Sequence, residues 1–317
     1  MKKIRIRALS LITLFALLVT MLPTGFAVSA AYETKIQIEN ANELGIKKDL
    51  IIGNGYRINK ADYWTMIHTA DSMKAVYCLE AGAHVSSGDS YTEDSAKEYL
   101  NNVKNDTLNS DEIGIVLGEV FLYAFTGELT SVEAYYKYTA TQLLVWEALV
   151  GQRDINFNRV DNGYTSVENA LSNFESDYAA AEVSRYYYNY ESLIKAHSKS
   201  VSFAYKLPSI AKNKPVQSSS DGTYTFTDKN KQLSNFDVSV KNGSMISKSE
   251  SSLKIKADNG KIAEITLTQN NVKESGELTG FLTLTSDSKQ TLAELKADPR
   301  KYYAAVKGVE NGTLEII

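Results

Sequence analysis

The sequence predicts an α+β head domain, in which short strands are combined with a helical part, followed by an all-β, sandwich-like domain. Two patterns predict this division. Between residues 92 and 197, apolar side chains recur at helical spacing. Beyond Pro208 they alternate with polar side chains in short runs, which is typical of strands that bury one face.

The head begins with strands and continues with four helices. Apolar or alternating runs predict strands at 35–38, 50–52 and 75–79. The predicted helices begin at Thr92, which is a plausible N-cap, and cover 111–125, 131 to about 150, and 166–197 with a break. Gly151 is expected to end the third of them.

The second half contains repeated strand and turn signals. Predicted strands cover 223–227, 236–240, 253–256, 262–268 and 278–285. Asp-Gly and Asn-Gly pairs separate several of these runs and predict turns. Short strands at this spacing favour a β-sandwich over residues 207–317.

The N-terminus has the three parts of a secretory signal peptide. A basic start precedes an apolar run from Ala8 to about Pro23, and Val28-Ser29-Ala30 supplies small residues for cleavage. The alternative is a membrane anchor, but the run is short for a span of roughly 20 apolar residues. We therefore expect residues 1–30 to be a signal peptide and the head to cover 31–206.

Composition argues against several functional classes. The formal net charge is −4 and the pI is about 5.6, without the basic clustering of a nucleic-acid-binding protein. The three histidines show no metal-ligand spacing, and no glycine-rich phosphate loop occurs. We expect no metal, no cofactor and no nucleic-acid partner.

Cys78 is the only cysteine of a chain that we expect to be exported. It cannot form an intramolecular disulfide, and such a cysteine suggests intermolecular pairing or a reactive thiol. The alternative is a small buried side chain without chemistry. Gln142 lies in a strongly apolar helical stretch, where an amide without a partner is costly to bury. Its plain alternatives are pairing with backbone groups or exposure to solvent.

These two residues lie in two short motifs. Tyr77 precedes Cys78 and Gly82 follows it, whereas the second motif reads Thr141-Gln142-Leu143-Leu144-Val145-Trp146. Over residues 31–206 the sequence resembles the thioester domain of Gram-positive surface adhesins. In that family an aromatic or aliphatic residue precedes the cysteine, and the glutamine motif is commonly T-Q-x-x-[VI]-W. Ala81 departs from the proline that is often found there, which affects the turn after the cysteine.

The resemblance implies a thioester between the Cys78 sulfur and the Gln142 side-chain carbonyl. Such a bond needs a fixed close approach and a site that excludes water. Tyr77, Trp146 and Tyr138 are candidate walls of that site, as are Tyr135 and Tyr136, although each tyrosine is equally compatible with ordinary core packing.

The resemblance also implies the function of a secreted adhesin that reacts once with a lysine amine of a host protein and is not an enzyme. The β domain then resembles a stalk segment, and 302–307 with 312–316 are expected to lead into further stalk domains of a longer, cell-wall-associated protein. Lys–Asn or Lys–Asp isopeptide bonds occur in stalks of some relatives, but no pair is indicated here.

Two other functions remain open. A secreted cysteine hydrolase or transpeptidase would need a histidine base near Cys78, and only His68, His84 and His197 are available. A non-covalent binding or structural module would leave Cys78 merely buried.

Overall fold

The computed structural model describes residues 33–40, 44–52, 56–58, 65–80, 85–94, 99–207, 217–218, 222–270, 282–285, 291–294 and 301–307. The predicted signal peptide lies outside these residues. No helix within the described ranges is both long enough and apolar enough to cross a membrane.

The described structure combines helices with antiparallel sheets, which confirms the predicted α+β class. The helices are α1 (Ser110–Tyr123), α2 (Val132–Leu149) and α3 (Asp177–His197), with 3₁₀ turns at Val167–Ser172 and Leu233–Asn235. The first six strands are β1 (Glu33–Asn40), β2 (Leu50–Ile52), β3 (Tyr56–Ile58), β4 (Thr65–Thr69), β5 (Ala75–Cys78) and β6 (Ser90–Asp94). The others are β7 (Gln217–Ser218), β8 (Thr223–Thr227), β9 (Phe236–Lys241), β10 (Gly243–Lys248), β11 (Ser252–Ala257), β12 (Ile262–Gln269), β13 (Leu282–Thr285), β14 (Thr291–Glu294) and β15 (Lys301–Lys307).

A closed six-stranded barrel in the order β1-β4-β5-β14-β13-β6 contains the cysteine strand. On β5, Cys78 is the Cα partner of Leu292 on β14. Two of the barrel strands, β13 and β14, therefore come from the second half of the chain, beyond the predicted boundary at residue 206. The proposed division into domains remains a prediction, although sheet pairing crosses its boundary.

Two further sheets, β10-β11-β8-β7 and β15-β12-β9, share a second hydrophobic core. Tyr224 and Ile255 contribute to it from the first sheet, and Ile265 and Leu267 from the second. This arrangement agrees with the predicted sandwich for the strands between 223 and 268, whereas the described part of the predicted strand 278–285 lies in the barrel as β13. Residues 302–307, expected to lead into another domain, instead lie in β15, which pairs antiparallel with β12.

Helix α2 is buried on nearly all sides. Ser131 caps it, since its side-chain oxygen accepts from the backbone N–H of Ala134 at 3.1 Å. Gly151 follows its end with a φ of +77°, a conformation that favours glycine. A helix that is apolar on every face has to be surrounded by protein, and α2 packs against α1, α3 and the cysteine strand.

The prediction that a helix begins at Thr92 is wrong. Thr92 lies in β6, where it is the Cα partner of Thr285 on β13. Tyr91 before it is fully buried in the main core. Pairing with a strand nearly 200 residues away thus overrides the local cap signal.

The fourth predicted helix is divided as expected. The 3₁₀ turn Val167–Ser172 is followed, after a gap, by α3. Ser176 caps α3 through the backbone N–H of Ala179.

Buried Arg153 ties the end of α2 to α3. Its guanidinium contacts Glu147 on α2 and Glu191 on α3, each at 2.7 Å. The Tyr187 hydroxyl accepts from Arg153 at 3.0 Å and donates to Glu147 at 2.6 Å. Because each buried charge has a partner, the cluster can hold the two helices together.

Candidate functional site

Cys78 and Gln142 lie in contact at the junction of β5 and α2. The Cys78 backbone N–H donates to Gln142 Oε1 at 2.8 Å, and Gln142 Nε2 donates to the Cys78 carbonyl oxygen at 2.8 Å. Cys78 is 8% exposed and Gln142 2% exposed. The expectation of a strand-borne cysteine beside a helix-borne glutamine is therefore met.

Trp146 adds a third hydrogen bond to the same place. Its indole Nε1 donates to the Cys78 carbonyl oxygen at 3.1 Å. Residues four apart lie on one face of a helix, which explains why Gln142 and Trp146 reach the same carbonyl. Trp146 is itself buried, so the glutamine motif covers the strand end with an apolar ring.

Tyr138 holds the two strands that lead to the site. Its hydroxyl donates to the Val76 carbonyl oxygen at 2.8 Å and accepts from the Ile67 backbone N–H at 3.3 Å. Burial, and to a smaller extent the proximity of Cys78, raise the pKa of Tyr138 well above its usual range. The phenol therefore stays protonated and remains a donor.

Tyr77 packs on the helices. Its ring stacks on Tyr138 with centroids 4.8 Å apart and on Phe121 at 5.4 Å. Burial raises its pKa well above the usual range as well. Successive strand residues point to opposite faces, so Tyr77 and Cys78 project in different directions. The role of Tyr77, Tyr138 and Trp146 as a shield remains a prediction.

Tyr135 and Tyr136 lie on the first half of α2. Tyr136 is buried and makes an edge contact with Tyr178, whereas Tyr135 is half-buried against the main core. These contacts fit ordinary core packing, which is the alternative to a role of Tyr135 and Tyr136 as walls of the site.

Two further side chains, Tyr99 and Thr141, make hydrogen bonds at the site and were given no role from the sequence. The Tyr99 hydroxyl donates to the Leu79 carbonyl oxygen at 3.1 Å, directly after Cys78. The Thr141 hydroxyl accepts from the Phe125 backbone N–H at 3.1 Å. The position of Thr141 within the motif was a signal for its role, but nothing in the sequence indicated Tyr99 or Phe125.

The histidines bear on the hydrolase alternative. His68 is the Cα partner of Ala75, three residues before Cys78, which is about 10 Å along a strand. The His197 ring stacks on Tyr123, with centroids 4.4 Å apart. His84 lies outside the described residues. The described part of the chain contains no cluster of three or more His, Cys, Asp or Glu side chains suited to a metal ion.

Comparison with known proteins gives one structural similarity. No family model matches the chain, and no curated protein matches it. The solved thioester domain of the Staphylococcus aureus TIE protein is similar, with 17% identity and a TM-score of 0.43 over 88% of this chain and 100% of that chain. The functional proposal rests on the contacts of Cys78 and Gln142 and not on this likeness.

Proposed function

We propose that the protein is a secreted surface adhesin in which Cys78 and Gln142 form a thioester that reacts with amines. The observation that carries the proposal is the doubly hydrogen-bonded, buried contact between the Gln142 carboxamide and the Cys78 backbone, at 2.8 Å for each bond.

The contact supports thioester formation because it holds the Gln142 carboxamide beside Cys78 and gives its oxygen a donor. The Cys78 sulfur attacks the Gln142 Cδ, the Cδ–N bond breaks, and the amide nitrogen leaves as ammonia with the thiol proton. Negative charge develops on Oε1 during the attack. The Cys78 backbone N–H already donates to that oxygen and can stabilise the charge. Fixed approach can contribute roughly 7–11 kcal/mol in good intramolecular cases.

The same carbon then reacts with an amine. The amine nitrogen attacks Cδ, the C–S bond breaks, and the sulfur leaves as a thiolate that takes up a proton. The product is an amide between Gln142 and the amine. The reaction happens once per molecule, so the protein is not a turnover enzyme. We propose that the natural amine is a lysine of a host surface or matrix protein.

The setting that goes with this proposal is extracellular. The predicted signal peptide supports export, and the β-sandwich supports a stalk-like role beside further domains in a longer, cell-wall-associated protein. These assignments rest on the sequence pattern and on the proposed chemistry together.

Intact mass spectrometry tests the proposal. The purified protein should weigh one ammonia less than its sequence, and methylamine should add to it while one thiol becomes alkylatable. Cys78→Ala should show neither change. A full sequence mass, no methylamine adduct, and a thiol that is alkylated in denaturant without methylamine would overturn the covalent function.

One observation favours the non-covalent alternative. The Gln142 amide has partners for its oxygen and its nitrogen in the Cys78 backbone, as a purely structural buried glutamine requires. In that case Gln142 joins α2 to β5 and Cys78 is a small core residue. The mass measurement separates the two functions.

A further inference from the structure

The main chain of Phe125 is held from two sides by residues next to Cys78 and Gln142. The Tyr77 hydroxyl donates to the Phe125 carbonyl oxygen. The Phe125 N–H donates to the Thr141 hydroxyl oxygen at 3.1 Å, and that hydroxyl donates to the Lys137 carbonyl oxygen at 2.9 Å. Tyr77 precedes Cys78 and Thr141 precedes Gln142, so one residue links both motifs.

The segment around Phe125 is itself fixed to the cysteine strand. The Ala75 N–H donates to the Gly127 carbonyl oxygen and the Leu129 N–H donates to the Met73 carbonyl oxygen, each at 2.9 Å. Phe125 is therefore a firm point of attachment between α1 and α2.

This attachment uses none of the reacting atoms. The hydrogen bond from Gln142 Nε2 to the Cys78 carbonyl is lost when that nitrogen leaves as ammonia. The bond that Phe125 accepts from Tyr77 and the bond that it donates to Thr141 are present before the reaction and need not change during it. A tie of this kind can hold two groups in register while the bond between them forms.

We propose that Tyr77 and Thr141 are positioning residues that act through Phe125 to fix the approach of Cys78 to Gln142. The inference rests on the proposed thioester function. Tyr77 is suited to the role because its fully buried ring is stacked between Phe121 and Tyr138. Thr141 is suited to it because its side chain is buried and its hydroxyl bonds the main chain of both Phe125 and Lys137.

The test compares three threonine variants. Thr141→Val keeps the side-chain shape but removes the hydroxyl, and Thr141→Ser keeps the hydroxyl. Thr139→Val is the matched control, because Thr139 is equally buried on α2 and donates to Tyr135. The readouts are the fraction of protein that lacks one ammonia by intact mass, and the thermal midpoint.

Thr141→Val should lower the ammonia-deficient fraction about tenfold, since small misplacements of reacting groups cost large factors in rate. Thr141→Ser should restore most of it, and Thr139→Val should keep it even if its midpoint falls equally. Equal fractions in Thr141→Val and Thr139→Val would overturn the inference. A wild-type protein without the mass deficit would instead overturn the thioester function.

Tyr77→Phe provides the second arm, because it keeps the stacked ring and removes only the hydroxyl. Tyr77→Phe should lower the fraction of protein that lacks one ammonia, as Thr141→Val does. An unchanged fraction counts against the inference. If neither Thr141→Val nor Tyr77→Phe folds, the contacts serve folding and the positioning role is rejected.

Discussion

The Gln142 carboxamide and the Cys78 backbone exchange two hydrogen bonds across 64 positions of sequence. The first brings a donor to the carbonyl oxygen that would gain charge, and the second holds the nitrogen that would leave. A buried amide with this pairing is stable as it stands, and its oxygen already has the donor that would stabilise the charge of the proposed attack.

Replacement of the two central residues should have different effects on the thiol. Cys78→Ala should abolish the methylamine adduct because no thioester can form. Gln142→Ala should abolish it too, but should leave one thiol that reacts in denaturant without methylamine. Thiol titration with intact mass checks this asymmetry. Adduct formation in Gln142→Ala would show that another carbonyl reacts.

Trp146→Phe should shorten the lifetime of the thioester. After ammonia has left, the Trp146 indole can still donate to the Cys78 carbonyl oxygen. Loss of a buried hydrogen bond of this kind typically costs about 1 kcal/mol or more. We expect roughly fivefold to tenfold faster hydrolysis, which converts Gln142 to glutamate, by repeated intact mass measurements.

Tyr187→Phe is the control for general loosening. It removes a hydroxyl from the Arg153 cluster and leaves the bonds of Gln142 and Trp146 to Cys78 in place. If it accelerates hydrolysis as much as Trp146→Phe does, the indole has no specific protective role.

Arg153→Met should destabilise the fold strongly. The change leaves Glu147 and Glu191 without the buried guanidinium that contacts both. Removal of one partner of a buried ion pair typically costs roughly 3–5 kcal/mol. Urea unfolding measures the loss. Arg185→Met is the matched control, since Arg185 is exposed and pairs with Glu182 three residues away. Similar losses in the two variants would argue against the cluster as a stabilising feature.

Stability should fall in acid partly through Glu191. Burial by itself raises the pKa of Glu191, but hydrogen bonds from Arg159 and Arg153 outweigh it and lower the pKa to about 2. In the unfolded chain the carboxylate of Glu191 has an ordinary glutamate pKa of about 4.3, so the unfolded state binds a proton there more readily than the folded state does. The contribution of Glu191 is therefore present above that value and is lost as the pH falls towards 2.

Glu191→Gln isolates this contribution. The variant should be less stable than the wild type near neutral pH, and the difference should shrink between about pH 4.3 and pH 2. Urea unfolding at several pH values provides the curves. A difference that stays constant over this range would mean that Glu191 does not contribute through its charge.

The sequence predicted the helices well where local signals were complete. The predicted third helix matches α2, because Ser131 supplies a cap and Gly151 supplies the left-handed residue at its end. The two motifs also pointed to Cys78 and Gln142 as the residues of the candidate site. Local signals failed at Thr92, because a strand from the far end of the chain pairs there.

The sequence by itself determined the α+β class and the extent of α2, and its two motifs pointed to Cys78 and Gln142 as a candidate pair. Only the tertiary structure decided that the barrel takes strands from both halves, that Gln142 binds the Cys78 backbone, and that Phe125 links the two motifs. The physical reason is the distance along the chain over which each kind of interaction acts. Caps and periodicity act within a few residues, whereas strand partners and buried hydrogen bonds are selected by the packing of segments distant in sequence.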